Sequence, residues 1–326
     1  MTQSPWAKLN EFIEKSQSIA LTAPESADGD SVGTQVALKE IIEENFQNKK
    51  VFIINEEGCP ERYKCIEGTD FFLKSSEIQE NPELWICVDG GPNRLGEKTT
   101  QLWEKAKFTA QIDHHKMGQD YDLDVKVVDV EAAATTKMLF DYMKEFNYPL
   151  NKKIAEAIYL GLIFDTGQFK HSNTNAEIHL IAAELMKIDF NHTHISEHSM
   201  MIKSPANLQL NKILIDSMQS IEDEKIRYAA ISQNDLKNAG ANEEDKDGLI
   251  TTLFLTPKTQ AVVLFSEKEN GDWKLSFRSR GPNVAQVAKN LDSNGGGHIL
   301  ASGCTLSGNF ESIKVKTLEA MQSVLR

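Results

Sequence analysis

The sequence predicts an α/β fold: an N-terminal doubly wound, mainly parallel sheet domain, a smaller C-terminal α+β domain, and a cleft between them. Three observations predict it. Short apolar runs at residues 18–23, 51–54, 84–88 and 108–112 alternate with helical patterns, the signature of parallel strands joined by crossover helices. Three of those runs end in an aspartate or reach one shortly afterwards. Beyond about residue 216 the texture changes to alternating runs at 226–231, 261–265 and 273–277, which read as a second sheet.

A chain of 326 residues exceeds the usual size of one domain. The expected boundaries are 1–191 for the first domain, 192–215 for a linker and connecting helix, and 216–326 for the second domain. Ser4-Pro5 followed by Leu9, Phe12 and Ile13 predicts a capped amphipathic helix at the start. Residues 18–42 then read as strand, polar loop and helix. The segment 155–164 reads as an apolar helix leading into Asp165-Thr166-Gly167.

Composition excludes several function classes. Lys and Arg total 35 against 48 Asp and Glu, a formal charge of −13. Long nucleic acid is gripped through a basic track, so this balance points to a short or monomeric phosphorylated substrate in a locally basic pocket, nucleotides included. Cys59, Cys65, Cys87 and Cys304 form no CxxC pair, which argues against a zinc ribbon and for reduced thiols. The first residues lack the apolar core of a secretory signal, and no apolar run approaches the roughly 18 residues of a membrane span. The expected location is cytoplasmic, without membrane association.

The strand ends carry the chemistry. Ligands of doubly wound sheets sit beyond the carboxyl ends of the strands. Asp28-Gly29-Asp30 follows the first run, Asp89-Gly90-Gly91 the third, and Asp113-His114-His115 the fourth. Taken singly, each aspartate reads as a turn or helix cap. Together, Asp28, Asp30, Asp89 and Asp165 with one imidazole suit two divalent cations about 3.5–4 Å apart, with Asp89 placed to bridge them. One histidine of the pair can take metal while its neighbour meets a phosphate, and Asp113 can orient a ring. Mixed oxygen and nitrogen donors point to manganese, with magnesium as the alternative. Water activated between the ions would attack phosphorus, so no side-chain nucleophile is required.

A second constellation lies near the C-terminus. Alternation places Lys274, Ser276 and Arg278 on one strand face, and Arg278-Ser279-Arg280 ends that strand. Gly295-Gly296-Gly297-His298 follows as a glycine-rich turn whose backbone N–H groups suit a phosphate, with arginine forks for the same anion. His194 and His198 stand at i and i+4 but read as ordinary helix-face residues.

In this order the motifs resemble the DHH phosphoesterase superfamily with its DHH-associated C-terminal domain. The likeness is strongest to nanoRNase/pAp phosphatases and to linear and cyclic dinucleotide phosphodiesterases. It spans nearly the whole chain, with residues 165–174 and 295–303 the most specific stretches. The resemblance implies that Asp28, Asp30, Asp89, His114 and Asp165 ligate metal. It implies that His115 contacts the scissile phosphate, and that Arg278, Arg280, Gly296, Gly297 and His298 hold another part of the nucleotide. A homodimer is compatible with it. Such enzymes usually carry a histidine four residues before the first aspartate, and here Pro24 stands there, with Ala27 in place of the motif's proline. One metal site is therefore expected to be weaker, with Glu25 a candidate substitute. The main expectation is hydrolysis of short oligonucleotides, linear dinucleotides or 3′-phosphoadenosine 5′-phosphate. Its alternatives are a cyclic di-AMP phosphodiesterase and, from another class, a nucleotide-binding sensor weakened by the missing histidine.

Overall fold

The computed structural model describes residues 4–116 and 120–325, in two units, Met1–Ile202 and Lys203–Arg326. The first unit opens with α1 (Pro5–Lys15), where the Ser4 hydroxyl accepts from the Ala7 N–H and Leu9 and Ile13 turn inward. Then follow β1 (Ser18–Thr22), α2 (Gly29–Asn45), β2 (Lys50–Asn55), β3 (Phe72–Lys74), β4 (Leu84–Val88), α3 (Glu97–Trp103) and β5 (Phe108–Asp113). The remainder is β6 (Val125–Val128), α4 (Thr135–Phe146), α5 (Lys152–Asp165), α6 (Ala176–Leu185) and α7 (His192–Ser196), extended by a π turn at Glu197–Met201.

Six parallel strands form the first sheet in the order β3-β2-β1-β4-β5-β6. The chain moves outward from β1 to β3, then restarts on the other side of β1, so the order reverses between β1 and β4. A crevice opens at the carboxyl ends of strands at such a point. The strands are apolar on both faces because both are covered. Leu21, Ile53, Ile86 and Ile112 pack with buried residues of α1, α2, α4 and α5, while Ala20, Ile54, Trp85 and Cys87 pack with Leu95 and with Trp103 of α3. Edge strands β3 and β6 have no apolar run long enough to announce them in the sequence.

Helices α2 and α5 carry candidate acids at their ends and pack closely. Gly33 has no Cβ because one there would lie 2.3 Å from the Ala157 carbonyl oxygen. At Gly161 a Cβ would lie 2.3 Å from both Asp30 Oδ1 and Thr136 Oγ1.

The second unit contains α8 (Pro205–Ser217), β7 (Gln219–Ile221), β8 (Ile226–Ile231), α9 (Gln233–Ala239), α10 (Leu249–Leu253) and β9 (Ala261–Glu267). It continues through β10 (Trp273–Ser279), α11 (Val284–Leu291), β11 (Gly296–His298), β12 (Ala301–Leu306) and α12 (Phe310–Ser323). Its sheet runs β11-β12-β10-β9-β8-β7, antiparallel except for the parallel β8–β9 pair. One face packs with residues of α11 and α12 through Val263, Phe265, Leu275 and Phe277. The other packs with α8, α9 and α10 through Val262 and Leu264.

The stretch 192–215, read from sequence as a separate linker and connecting helix, is shared out instead. Ile195 is buried in the first unit's core, and Leu210 and Leu214 of α8 are buried in the second's. Their i, i+4 spacing gives α8 an apolar stripe that must be covered. The four cysteines are all free. No helix of the described residues is long and apolar enough to cross a membrane.

Gly33→Ala should force α2 and α5 apart and destabilise the protein by about 1–3 kcal/mol, the usual range for overpacking. Thermal or denaturant unfolding measures this, and an unchanged midpoint would contradict the close packing described.

Candidate functional site

Asp28 is the N-cap of α2, its side chain accepting from the N–H groups of Asp30 and Ser31 at 3.0 and 3.1 Å. Cap and candidate ligand are therefore the same residue. Asp30, in the first turn of α2, is fully buried. Its carboxylate accepts from Thr135 N–H at 2.6 Å, Thr136 N–H at 3.0 Å and the Thr136 hydroxyl at 2.6 Å. It thereby caps α4, whose own N-cap residue, Ala134, has no side-chain acceptor.

Asp89 follows β4 in the left-handed region, with φ 57°. Its Oδ2 accepts from the Ser31 hydroxyl at 2.6 Å, and its Oδ1 from the Thr135 hydroxyl at 3.1 Å. Burial and the charges of Asp30, Asp28 and Asp165 raise its carboxyl well above the ordinary range. Burial and the Asp30 charge likewise raise Asp28.

Asp113 ends β5. Its Oδ1 accepts from the His115 N–H at 3.0 Å and from His115 Nδ1 at 2.8 Å, while its Oδ2 accepts from Gln111 Nε2 at 3.1 Å. It therefore holds His115 by both its backbone and its ring. His114 Nδ1 lies 3.1 Å from the Ala132 carbonyl oxygen. A carbonyl only accepts, so Nδ1 carries the proton and Nε2 faces the acids, 3.1 Å from Asp165 Oδ2 and 3.5 Å from Asp89 Oδ1.

Asp165 is the last residue of α5, at the end of the apolar helix that the sequence reads over 155–164. The Asp165 carbonyl accepts from His171 Nδ1 and Asn173 Nδ2 at 3.1 and 3.2 Å. Three left-handed residues, Gly167, Gln168 and Phe169, turn the chain away. Burial and the Asp30 charge raise the Asp165 carboxyl to about 7, although His114 pulls the other way. Burial alone would depress His114, but its hydrogen bond to Asp165 and the charges of Asp30 and Asp165 carry it to about 9.

Among the described residues, two sets of donor atoms lie close enough to hold a metal ion: Asp89 with His114 and His115, and Asp30 with His114 and Asp165, each within 4.8 Å. The donors are carboxylate oxygens and imidazole nitrogens, with Asp89, His114 and Asp165 raised in pKa, a set that a divalent cation would neutralise. Asp28 falls in neither set and lies beside them, its carboxylate turned to the α2 N–H groups. Pro24 is buried, and its Cγ lies 2.7 Å from where a Gly90 Cβ would stand. Glu25 is exposed and belongs to neither set. Ser31, Gln111, Thr135 and Thr136 escaped sequence reasoning. The one available signal was a Thr pair opening the apolar pattern of Met138, Leu139, Tyr142 and Met143.

In the second unit, Arg278 pairs with Ala301 across β10–β12, and His298 pairs with Ala301 across β11–β12. Directly opposed residues share a sheet face, so Arg278 and His298 stand in one row. Arg278 donates to the Phe277 carbonyl at 2.9 Å. The Ser279 hydroxyl donates to the Pro282 carbonyl at 2.5 Å. Arg280 donates to the carbonyls of Phe254 and Thr256 at 3.0 and 3.1 Å, which ties its guanidinium to the backbone. Gly296 and Gly297 lie in edge strand β11 rather than in the expected turn. A Cβ at Gly297, where φ is 134°, would meet the Ala301 carbonyl oxygen at 2.6 Å.

The chain matches two family models: the DHH family N-terminal domain over residues 18–162, and the DHHA1 domain over residues 223–325. It is 28% identical over 287 residues to a Bacillus subtilis protein named bifunctional oligoribonuclease and PAP phosphatase, covering 86% of each chain. A Streptococcus mutans protein, named as a probable enzyme of that kind, is 27% identical over 279 residues, with 85% of each chain covered. A solved structure of an exopolyphosphatase-related protein from Bacteroides fragilis superposes with TM-score 0.89 at 22% identity, covering 99% of this chain and 96% of that one. That likeness is one of fold.

Cation binding must displace the protons held at His114 (about 9) and Asp165 (about 7). Affinity for a divalent cation should therefore rise as pH increases through this range, with protons released. Calorimetry in buffers of different ionisation enthalpy reads both, and a pH-independent affinity would contradict the protonation described.

Proposed function

The chain belongs to the DHH family and is a hydrolase acting on ester bonds, and from that premise we propose that it cleaves short nucleotide substrates in the cytoplasm. The substrates in this reading are short oligoribonucleotides, linear dinucleotides or 3′-phosphoadenosine 5′-phosphate. The observation that carries it is the meeting of Asp30, Asp89 and Asp165 around His114 Nε2. The names of the Bacillus and Streptococcus relatives support the substrate class. The net charge of −13 supports short rather than long nucleic acid.

Asp28, Asp30, Asp89, His114 and Asp165 would hold two divalent cations, manganese in this reading and magnesium as the alternative. Bound there, the cations would supply charge neutralisation and a water of lowered pKa. The protein's own part is positioning. Ser31 and Thr135 fix both oxygens of Asp89 through their hydroxyls. The α4 N-terminus holds Asp30. The Ala132 carbonyl selects the His114 tautomer that presents Nε2. Asp113 accepts from His115 Nδ1, which turns that imidazole to the scissile phosphate. In the second unit, the row of Arg278 and His298 with the Gly296-Gly297 edge is assigned to another phosphate or base of the substrate, while Ser279 and Arg280 brace the strand end.

Manganese-loaded protein should release mononucleotides from a short oligoribonucleotide, and phosphate from 3′-phosphoadenosine 5′-phosphate, resolved by chromatography. Asp89→Asn should lower kcat at least ~100-fold while the fold persists. If no phosphodiester or phosphomonoester in such a panel is turned over, the reading fails. Calorimetry should also find one of two manganese sites weaker, because Pro24 offers no donor at the position where the resemblance implies a histidine.

A further inference from the structure

The described arginines divide by what their guanidinium groups touch. Arg280 lies on backbone carbonyls and over the Phe254 ring. Arg227 reaches Glu224 and Met218, Arg278 its neighbour's carbonyl, and Arg62 covers Tyr63. Arg94 is the exception. Its side chain is exposed and makes no hydrogen bond or ion pair among the described residues.

Its place makes that unusual, because it closes the turn Asp89-Gly90-Gly91-Pro92-Asn93-Arg94 beside the acid cluster. The backbone there is pinned on both sides. The Arg94 N–H donates to the Gly91 carbonyl at 3.0 Å, and the Arg94 carbonyl accepts from the Glu25 N–H at 2.8 Å. The second bond ties the turn to the loop leading into Asp28 and Asp30. Gly90, with φ 155°, lets the chain fold back: a Cβ there would stand 2.7 Å from Pro24 Cγ and 3.7 Å from Arg94 Nη1. The guanidinium therefore lies along the residue next to Asp89. The Tyr121 ring fills the place of a Gly91 Cβ, 2.9 Å from it.

We propose that Arg94 is a substrate-binding residue whose guanidinium takes non-bridging oxygens of the phosphoryl group placed at the acid–imidazole cluster. The inference rests on the phosphoesterase reading above and adds to it a named phosphate ligand in the first unit. A planar guanidinium fork matches two phosphate oxygens and stays charged at every working pH. The turn holds this one over Gly90, the residue after Asp89, without pairing it to a carboxylate. Its charge thus remains available to an anion once cations have neutralised the acids.

Arg94→Met and Arg94→Lys test it, on protein loaded with manganese. Arg94→Met should weaken binding of adenosine 3′,5′-bisphosphate and raise KM for a short oligoribonucleotide ~10–100-fold, the range for a lost charge-assisted bond. Arg94→Lys should recover part of that loss, because it restores charge but not the fork. Manganese stoichiometry by calorimetry and the melting temperature should stay as in the unaltered protein, since the side chain is exposed and holds no metal. Unchanged nucleotide affinity and KM in Arg94→Met overturns the inference, as does loss of manganese binding, which would make the residue structural. An unaltered protein that binds the bisphosphate but hydrolyses nothing counts against the proposed function instead. The binding difference on Arg94→Met still decides the role of Arg94 in that event.

Discussion

Four carboxylates crowded at one end of a sheet repel one another, and the first unit is arranged around that repulsion. Burial worsens it, because low dielectric penalises each charge. The fold answers with donors. Two helix N-termini face the cluster, α2 bonding to Asp28 and α4 to Asp30, so backbone N–H groups and the positive ends of helix dipoles meet negative charge. Hydroxyls of Ser31, Thr135 and Thr136 take further lone pairs. His114 sits among the acids as a cation, which its pKa of about 9 expresses. Raised carboxyl pKa values are the charge these donors leave unbalanced, and that remainder attracts a divalent cation.

Topology brings the acids together. Because the strand order reverses between β1 and β4, the segments leaving these two strands diverge and leave room between them. Asp28 and Asp30 come from one, Asp89 from the other, and the histidines from β5 beside β4. The acid from α5 reaches the same place because α5 packs against α2 at Gly33 and Gly161, where any side chain would push the helices apart. Core packing and site geometry are thus one constraint. Gly161 marks it most directly, since its absent Cβ leaves the space that Asp30 and Thr136 occupy.

The second unit follows another logic. Its sheet sets Arg278 and His298 in register through Ala301, and it uses Ser279 and Arg280 to close the strand end. The Arg280 guanidinium bridges two carbonyls of a remote loop, while that of Arg278 bonds only the carbonyl of its neighbour Phe277. Sequence spacing gives both the same appearance.

Local chemistry made much of this legible in the sequence. Apolar runs followed by Asp marked β1, β4 and β5, because a covered parallel strand is apolar along its length and its carboxyl end is where polar ligand-binding groups gather. Ser4-Pro5 marked the start of α1, because that pair satisfies a helix N-terminus by itself. The contact between Asp113 and His115 was legible for the same reason: the bond spans two residues. What the sequence left open was set by contacts between distant segments. Asp30 capping α4 joins residues over 100 positions apart, and Ser31 reaches Asp89 across 58. Edge strands β3 and β6 exist because a neighbouring strand offers hydrogen bonds, not because their own residues demand it. Composition and spacing determined which groups this protein could bring to a site, and only tertiary packing decided which of them meet, since a hydrogen bond between remote segments leaves no periodic trace in the chain.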